Sequence, residues 1–185
     1  GLVGGQIPFG EVLLSLDRMT KILNVDAVDD TMTVEAGVTL KAVQDAAENV
    51  DRLFPLSLAS EGTCRIGGNL ATNAGGVNVL AYGNARELCL GLEVVLADGR
   101  VLNQLKTLRK DNTGYDLKNL FIGSEGTLGI ITKATLKLFP RINRYDTLLA
   151  AVPTVQAGLS LLSLPKSLHG NPAVARELLP ETGIQ

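Results

Sequence analysis

ASEGTCRIGGNLATNAGGVNVLAYG, running from Ala59 to Gly83, places six glycines in twenty-five positions and fills nearly half of the others with alanine, asparagine and threonine. Few of these side chains reach far from the main chain, so a ligand can approach bare backbone along most of the stretch. Glycine loses more conformational freedom on folding than any other residue. Gly62, Gly67, Gly68, Gly75, Gly76 and Gly83 are therefore a costly way to make an ordinary connection, and the stretch reads as a loop built around something.

Spacing separates the phosphate loops that compete for it. GTCRIGGN, from Gly62, starts like a P-loop, but Gly68 and Asn69 stand where lysine and Ser or Thr must reach the phosphates and magnesium. A dinucleotide fingerprint needs GxGxxG between a strand and a helix, whereas Gly123, Gly126 and Gly129 are spaced GxxGxxG. What is left is a cradle of backbone amides and small side chains, with polar groups at Thr63, Asn69, Thr72, Asn73 and Asn78. Such a surface can host a flat polar ring and a pyrophosphate without a lysine. On composition alone a flavin cradle, a generic glycine-rich active-site loop and a structural turn cluster all stay open.

Upstream, Glu11–Leu16, Ile22–Val28 and Thr31–Gly37 read as strands, the last two joined through the turn-forming pair Asp29 and Asp30. Thr39 stands as an N-cap before Leu40, Val43, Ala46, Ala47 and Val50, which recur at helical spacing, and Phe54 and Pro55 end that helix. Within the glycine-rich stretch, Gly68 to Asn73 is expected to form one helical turn. Downstream, Leu92 to Ala97 alternates and is followed by Asp98-Gly99, a strong hairpin signal. Asp116 is expected to cap a short helix through Phe121 that closes near Gly123, and Ile130–Phe139 reads as one long strand. Beyond Pro140 the expectation is a strand over Tyr145–Val152, a helix over Val155–Leu164 and an irregular tail from Pro165. This places a domain boundary near residue 141, with residues 1–140 as one domain and 141–185 as the start or remnant of another.

A chain of 185 residues with a net charge of −2 and scattered Lys and Arg carries no electrostatic footprint for nucleic acid. Its apolar runs fall short of the roughly 20 residues that span a bilayer. Cys64 and Cys89 belong to neither a CxxC pair nor a Cys/His cluster, and read as reduced thiols of a cytoplasmic-type compartment. The single histidine, His169, has no second histidine with which to build a metal site, and reads as a surface-loop residue.

Several long motifs together carry a resemblance: the opening GLVGG, LASEGTCRIGGNLATNAGGVNVLAYGNARE, GLEVVLADGRVL and LRKDNTGYDLKNLFIGSEGTLGIIT. They resemble, in order, the FAD-binding domain of the FAD-linked oxidases with the p-cresol methylhydroxylase and vanillyl-alcohol oxidase fold. RKDNTGYDL is most similar to the D-2-hydroxy-acid dehydrogenase branch, which includes D-2-hydroxyglutarate dehydrogenase, D-lactate dehydrogenase and the glycolate oxidase FAD subunit. The resemblance covers about residues 1 to 140 and implies an α+β fold of that type. It further implies non-covalent FAD, a small 2-hydroxy-acid substrate and an electron acceptor in the intact protein, possible homodimerisation, and the mitochondrial matrix as location in a eukaryote.

Carried over by position, the resemblance implies that Pro55 and the segment with Gly62, Thr63, Ile66, Gly67, Gly68 and Asn69 line the flavin and its pyrophosphate. Ala71, Thr72, Asn73, Gly75 and Gly76 would lie by the isoalloxazine or ribityl chain, with Tyr82 and Gly83 closing the other side. Glu125, Gly126 and Ile130 would approach the adenosine end. Asn78, Arg86 and Asp98 read as structural. In the family the hydroxyl proton is taken by a base while hydride leaves Cα for flavin N5, and the histidine and metal that assist come from other portions of the protein. The sequence therefore carries no catalytic residue and no metal site of that kind, and reads as a domain incomplete at both ends. A non-catalytic flavin module and a flavin reductase or oxidase of the same fold are the alternatives.

Overall fold

A computed structural model of the protein describes residues 7–143 and 149–169. GLVGG, residues 145–148 of the expected 145–152 strand and the 170–185 tail lie outside them, and 149–152 form no strand.

The Asp29-Asp30 turn joins β1 (Ile22–Asp26) to β2 (Thr31–Glu35) in an antiparallel pair. The Asp26 carboxylate organises the turn, accepting from the Val28 and Asp29 amides at 2.8 and 2.9 Å, and Asp30 completes it with φ at 54°. Thr39 then caps α1 (Leu40–Glu48) by accepting from the Ala42 amide at 3.2 Å, and Leu40, Val43 and Ala47 are its buried face. This helix stops earlier than Phe54-Pro55. Asn49 caps it, Asp51 turns into the left-handed region at φ 58°, and β3 (Arg52–Leu53) follows directly.

Next come α2 (Ile66–Ala71) and the single turn α3 (Val79–Tyr82), then the hairpin of β4 (Cys89–Val95) and β5 (Val101–Gln104) around Asp98-Gly99. After α4 (Lys118–Phe121), β6 (Ile130–Lys137) crosses the molecule, and β7 (Phe139–Pro140) pairs with β3. The sheet order is β1-β2-β6-β4-β5, antiparallel throughout, so the last long strand lies at its centre. Met32 opposite Leu136, and Val34 and Leu92 opposite Ala134, form the apolar layer on which α1 and α2 close the core.

Several expectations are corrected. Glu11–Leu16 forms no strand: Val12, Leu13 and Leu14 are exposed, and the segment's fixed point is Leu16, whose carbonyl takes the Met19 amide. A short apolar run does not make a strand without a neighbouring edge to pair with. Asp116 is not a cap, because its carboxylate is held by Lys118 and by Asn119 Nδ2. The Ile130–Phe139 strand divides at Leu138, whose amide turns to the Asp30 carbonyl at 2.8 Å. The last helix, α5, runs Val155–His169, past Leu164 and through Pro165, so His169 ends a helix instead of lying in a loop. Thr154 caps it by accepting from the Ala157 amide at 3.2 Å.

Candidate functional site

The glycine-rich stretch folds back on itself in two hydrogen-bonded halves. In the first, α2 begins two residues before the expected turn, at Ile66, and the Thr72 hydroxyl donates to the Gly68 carbonyl at 2.9 Å near its end. Asn73 then takes φ 48° and its Oδ1 accepts the Arg86 amide at 3.0 Å. In the second, Pro55 is buried beside Asn78, whose Nδ2 donates to the Pro55 carbonyl at 2.8 Å, and Val77 bonds the Ser57 carbonyl.

The second glycine loop, far off in sequence, is docked against the first. Gly123 N donates to Leu70 O at 3.0 Å and Glu125 N to Ala71 O at 2.9 Å. Arg86 holds the junction, its guanidinium donating to the carbonyls of Asn119 at 2.7 Å and Ile122 at 2.5 Å. The fold thus brings the end of α2, from Ala71 to Asn73, beside Glu125 and Gly126. Arg86 is a positioning residue whose role no local sequence signal reveals, because both of its partners lie more than thirty residues away.

The glycines sort by what surrounds them. A Cβ on Gly67 would stand 2.7 Å from the Ala36 Cβ, and one on Gly76 would stand 2.1 Å from the Ser57 carbonyl oxygen. Close packing inside the chain explains these two. Gly62 and Gly68 are different: both are exposed, neither has positive φ, and beyond their chain neighbours and the α2 backbone no atom of the described residues lies within 4 Å of where their Cβ would be. Bare backbone facing open space, with no internal reason for it, is what close approach of a ligand requires.

Asn69 points the same way. It is 6% exposed, its Nδ2 reaches only the Cys64 sulfur at 3.4 Å, and its side-chain oxygen makes no hydrogen bond among the described residues. A buried amide so weakly partnered in the chain is rare and calls for a polar group from outside it. The bare backbone of Gly62 and Gly68, the under-satisfied Asn69 and the Thr63 and Thr72 hydroxyls together fit a flat, polar cofactor such as a flavin.

The residue family that describes FAD binding domains matches residues 1–104. The chain belongs to the FAD-binding-domain family. Its cofactor is FAD, and its fold is the α+β fold of the p-cresol methylhydroxylase and vanillyl-alcohol oxidase type. The FAD-binding domain is 55% identical over 137 residues to a probable mitochondrial D-2-hydroxyglutarate dehydrogenase of Oryza sativa subsp. indica, covering 74% of this chain and 24% of that protein. It is 54% identical over 142 residues to the mitochondrial D-2-hydroxyglutarate dehydrogenase of Danio rerio, covering 76% of this chain and 26% of that one. Among solved structures it is similar to alkyldihydroxyacetonephosphate synthase, with a TM-score of 0.64 and 25% identity over 82% of this chain and 27% of that one. The chain therefore spans about a quarter of the length of these relatives.

The remaining expected contacts of the FAD-binding domain sit as follows. Ile66 is buried in the core and anchors α2. Gly75 and Gly83 shape the loop on either side of α3, Gly83 with φ 80°. Tyr82 packs its ring edge-on against Phe139, with centroids 4.8 Å apart, and Ile130 opens β6 opposite Val95. A cavity of about 330 Å³ adjoins the Pro55 and Asn78 end, lined also by Gln44, Arg52 and Arg141. Among the described residues no group of three His, Cys, Asp or Glu is placed to hold a metal ion, and no helix is long and apolar enough to cross a membrane.

Proposed function

We propose that this FAD-binding domain serves a flavin-dependent dehydrogenase that oxidises D-2-hydroxyglutarate, or a closely related D-2-hydroxy acid, to the 2-oxo acid. The observation that carries the reading is the identity of more than half across 137 and 142 residues with dehydrogenases named for that substrate. The exposed backbone at Gly62 and Gly68 supports it, since it leaves room for the cofactor such an enzyme needs.

In this reading the contacts are divided among three groups. Gly62, Thr63, Gly68 and Asn69 give amides, a hydroxyl and a carboxamide to the cofactor's polar atoms. Ala71, Thr72, Asn73, Glu125 and Gly126 form the continuous wall fixed by the Gly123 and Glu125 amides. Pro55, Gly75, Gly76, Tyr82, Gly83 and Ile130 border the site, with Ile66 and Gly67 holding α2 against Ala36 from beneath. Bound FAD supplies the hydride acceptor for the substrate Cα–H, and it is held without a covalent bond. Residues 1–140 make up this domain, while 141–185 begin another. The base and the substrate carboxylate contacts belong to the part of such a dehydrogenase that these 185 residues do not span. The reduced enzyme then passes its electrons to an acceptor, and in a eukaryote it works in the mitochondrion, as the names of the two relatives have it.

Titrating the protein with FAD and following flavin fluorescence tests the cofactor assignment, with saturable quenching expected. Anaerobic addition of D-2-hydroxyglutarate to the full-length flavoprotein that carries this domain tests the substrate, with bleaching of the flavin band expected. A yellow protein that no D-2-hydroxy acid bleaches refutes the dehydrogenase reading and leaves a flavin-binding module.

A further inference from the structure

The central sheet has two unlike faces. Along the β2–β6 pair, Met32 with Leu136 and Val34 with Ala134 face the core, so Thr31 with Lys137 and Thr33 with Thr135 face the other way. Lys133 and Glu93 share that second face as an ion pair at 3.0 Å. At its Lys137 end, beneath the loop that follows β5, lies a cavity of about 140 Å³. Four cations line it, Lys106, Arg109, Lys118 and Lys137, against two carboxylates, Asp111 and Asp116.

The surplus charge has an address. Lys106 pairs with Asp111 and Lys118 with Asp116. Arg109 donates to the Leu138 carbonyl at 3.2 Å and stands 3.9 Å from the Asp30 carboxylate. Lys137 is half-buried and makes no side-chain hydrogen bond or ion pair among the described residues. Burial, with Lys118 and Arg109 beside it, holds its ammonium below the usual lysine range. A partly desolvated ammonium set among other cations is unfavourable alone and becomes favourable when an anion enters.

We propose that this cavity binds a small dianionic oxyanion, with the Lys137 ammonium as the main contact and Lys118 and Arg109 as flanking charges. Two net positive charges match two negative ones, and the volume lies below the roughly 300 Å³ of pockets for larger organic ligands. The site therefore suits a free tetrahedral oxyanion and not a whole nucleotide. It shares no residue with the flavin cradle, so it stands or falls independently of the dehydrogenase reading.

The test is calorimetric titration of the protein with inorganic phosphate at constant ionic strength, with sodium chloride as the baseline. Saturable millimolar binding is expected, weakened about tenfold in Lys137→Gln, because a charge-assisted hydrogen bond is lost. Lys110→Gln, a change of an exposed loop cation outside the cavity lining, is expected to bind as the parent does. Should Lys137→Gln fail to fold, Arg109→Gln on the half-exposed rim replaces it, with a several-fold loss expected. FAD affinity stays unchanged in every variant. No saturable heat above the chloride baseline, a cavity variant that binds like the parent, or an equal loss in Lys110→Gln overturns the proposal.

Discussion

Two neighbouring glycines, Gly67 and Gly68, should answer the same substitution in opposite ways. In Gly67→Ala the new methyl would lie 2.7 Å from the Ala36 Cβ and 3.2 Å from its carbonyl oxygen. Carbon atoms in contact prefer about 3.5–4.0 Å, so α2 must lift from the sheet by about 1 Å. Neither methyl can rotate away, since both are Cβ atoms fixed to backbone. Overpacking of this kind costs about 1–3 kcal/mol, against which alanine returns less than about 1 kcal/mol of helix propensity. The net cost is then up to about 2 kcal/mol, and at about 2–4 °C per kcal/mol for a chain of this size Tm should fall by up to about 8 °C. In Gly68→Ala the methyl meets nothing within 4 Å, so only the propensity gain remains, and Tm should rise by about 1–4 °C.

The cofactor separates the two further. In the proposed cradle the Gly68 methyl would occupy the space through which the cofactor reaches backbone, so this more stable variant should bind FAD about tenfold more weakly. Thermal unfolding followed by circular dichroism, with FAD titration of each variant, reads both quantities. A Gly68→Ala protein that loses as much stability as Gly67→Ala, or that binds FAD as tightly as the parent, would refute the reasoning.

Asn69→Ala should change stability little without cofactor, because its amide reaches only a thiol, and should weaken FAD binding about tenfold. Unchanged affinity in that titration removes Asn69 from the site. Arg86→Met should cost about 2–3 kcal/mol by freeing the Asn119 and Ile122 carbonyls, and hydrogen exchange should speed up at 119–126; uniform exchange across the chain would deny it a positioning role. Burial pushes the Cys89 thiol up to about 12 from an ordinary value near 9, so the folded state holds its proton more tightly than the unfolded one. The stability this provides is complete below pH 9 and is lost as pH rises toward 12. A thiol reagent at pH 8 should therefore modify Cys64 in the native protein and Cys89 only after denaturation, with rapid native labelling of both as the contrary result.

Local chemistry carried most of what the sequence could tell. Thr39 before an amphipathic run and Asp98-Gly99 between alternating segments act over a few residues, and both form as read. The exposed backbone at Gly62 and Gly68 was readable for the same reason, since bareness is written directly into GTCRIGGN. The joining of Leu70 and Ala71 to Gly123 and Glu125 was not, because those bonds depend on β6 entering the sheet centre. Composition also could not tell Gly67, which packs on Ala36, from Gly68, which packs on nothing. Glu11–Leu16 misled because an apolar run records strand propensity and not whether a sheet edge is there to pair with it. Asp116 misled because two neighbouring donors, Lys118 and Asn119, outcompete the helix amides for its carboxylate.

The position of β6 also sets an order of events at the ribosome. Thr33 and Thr135, 102 residues apart, meet across the β2–β6 seam. Until β6 emerges, the chain holds two separate hairpins, β1-β2 and β4-β5, with no strand to join them. A lone hairpin is marginal in water, so nearly the whole domain must wait, with strand edges open, for the eight-residue strand β6. A nascent chain stalled before Ile130 is therefore a client for chaperones, and its commitment to the native state comes late and all at once.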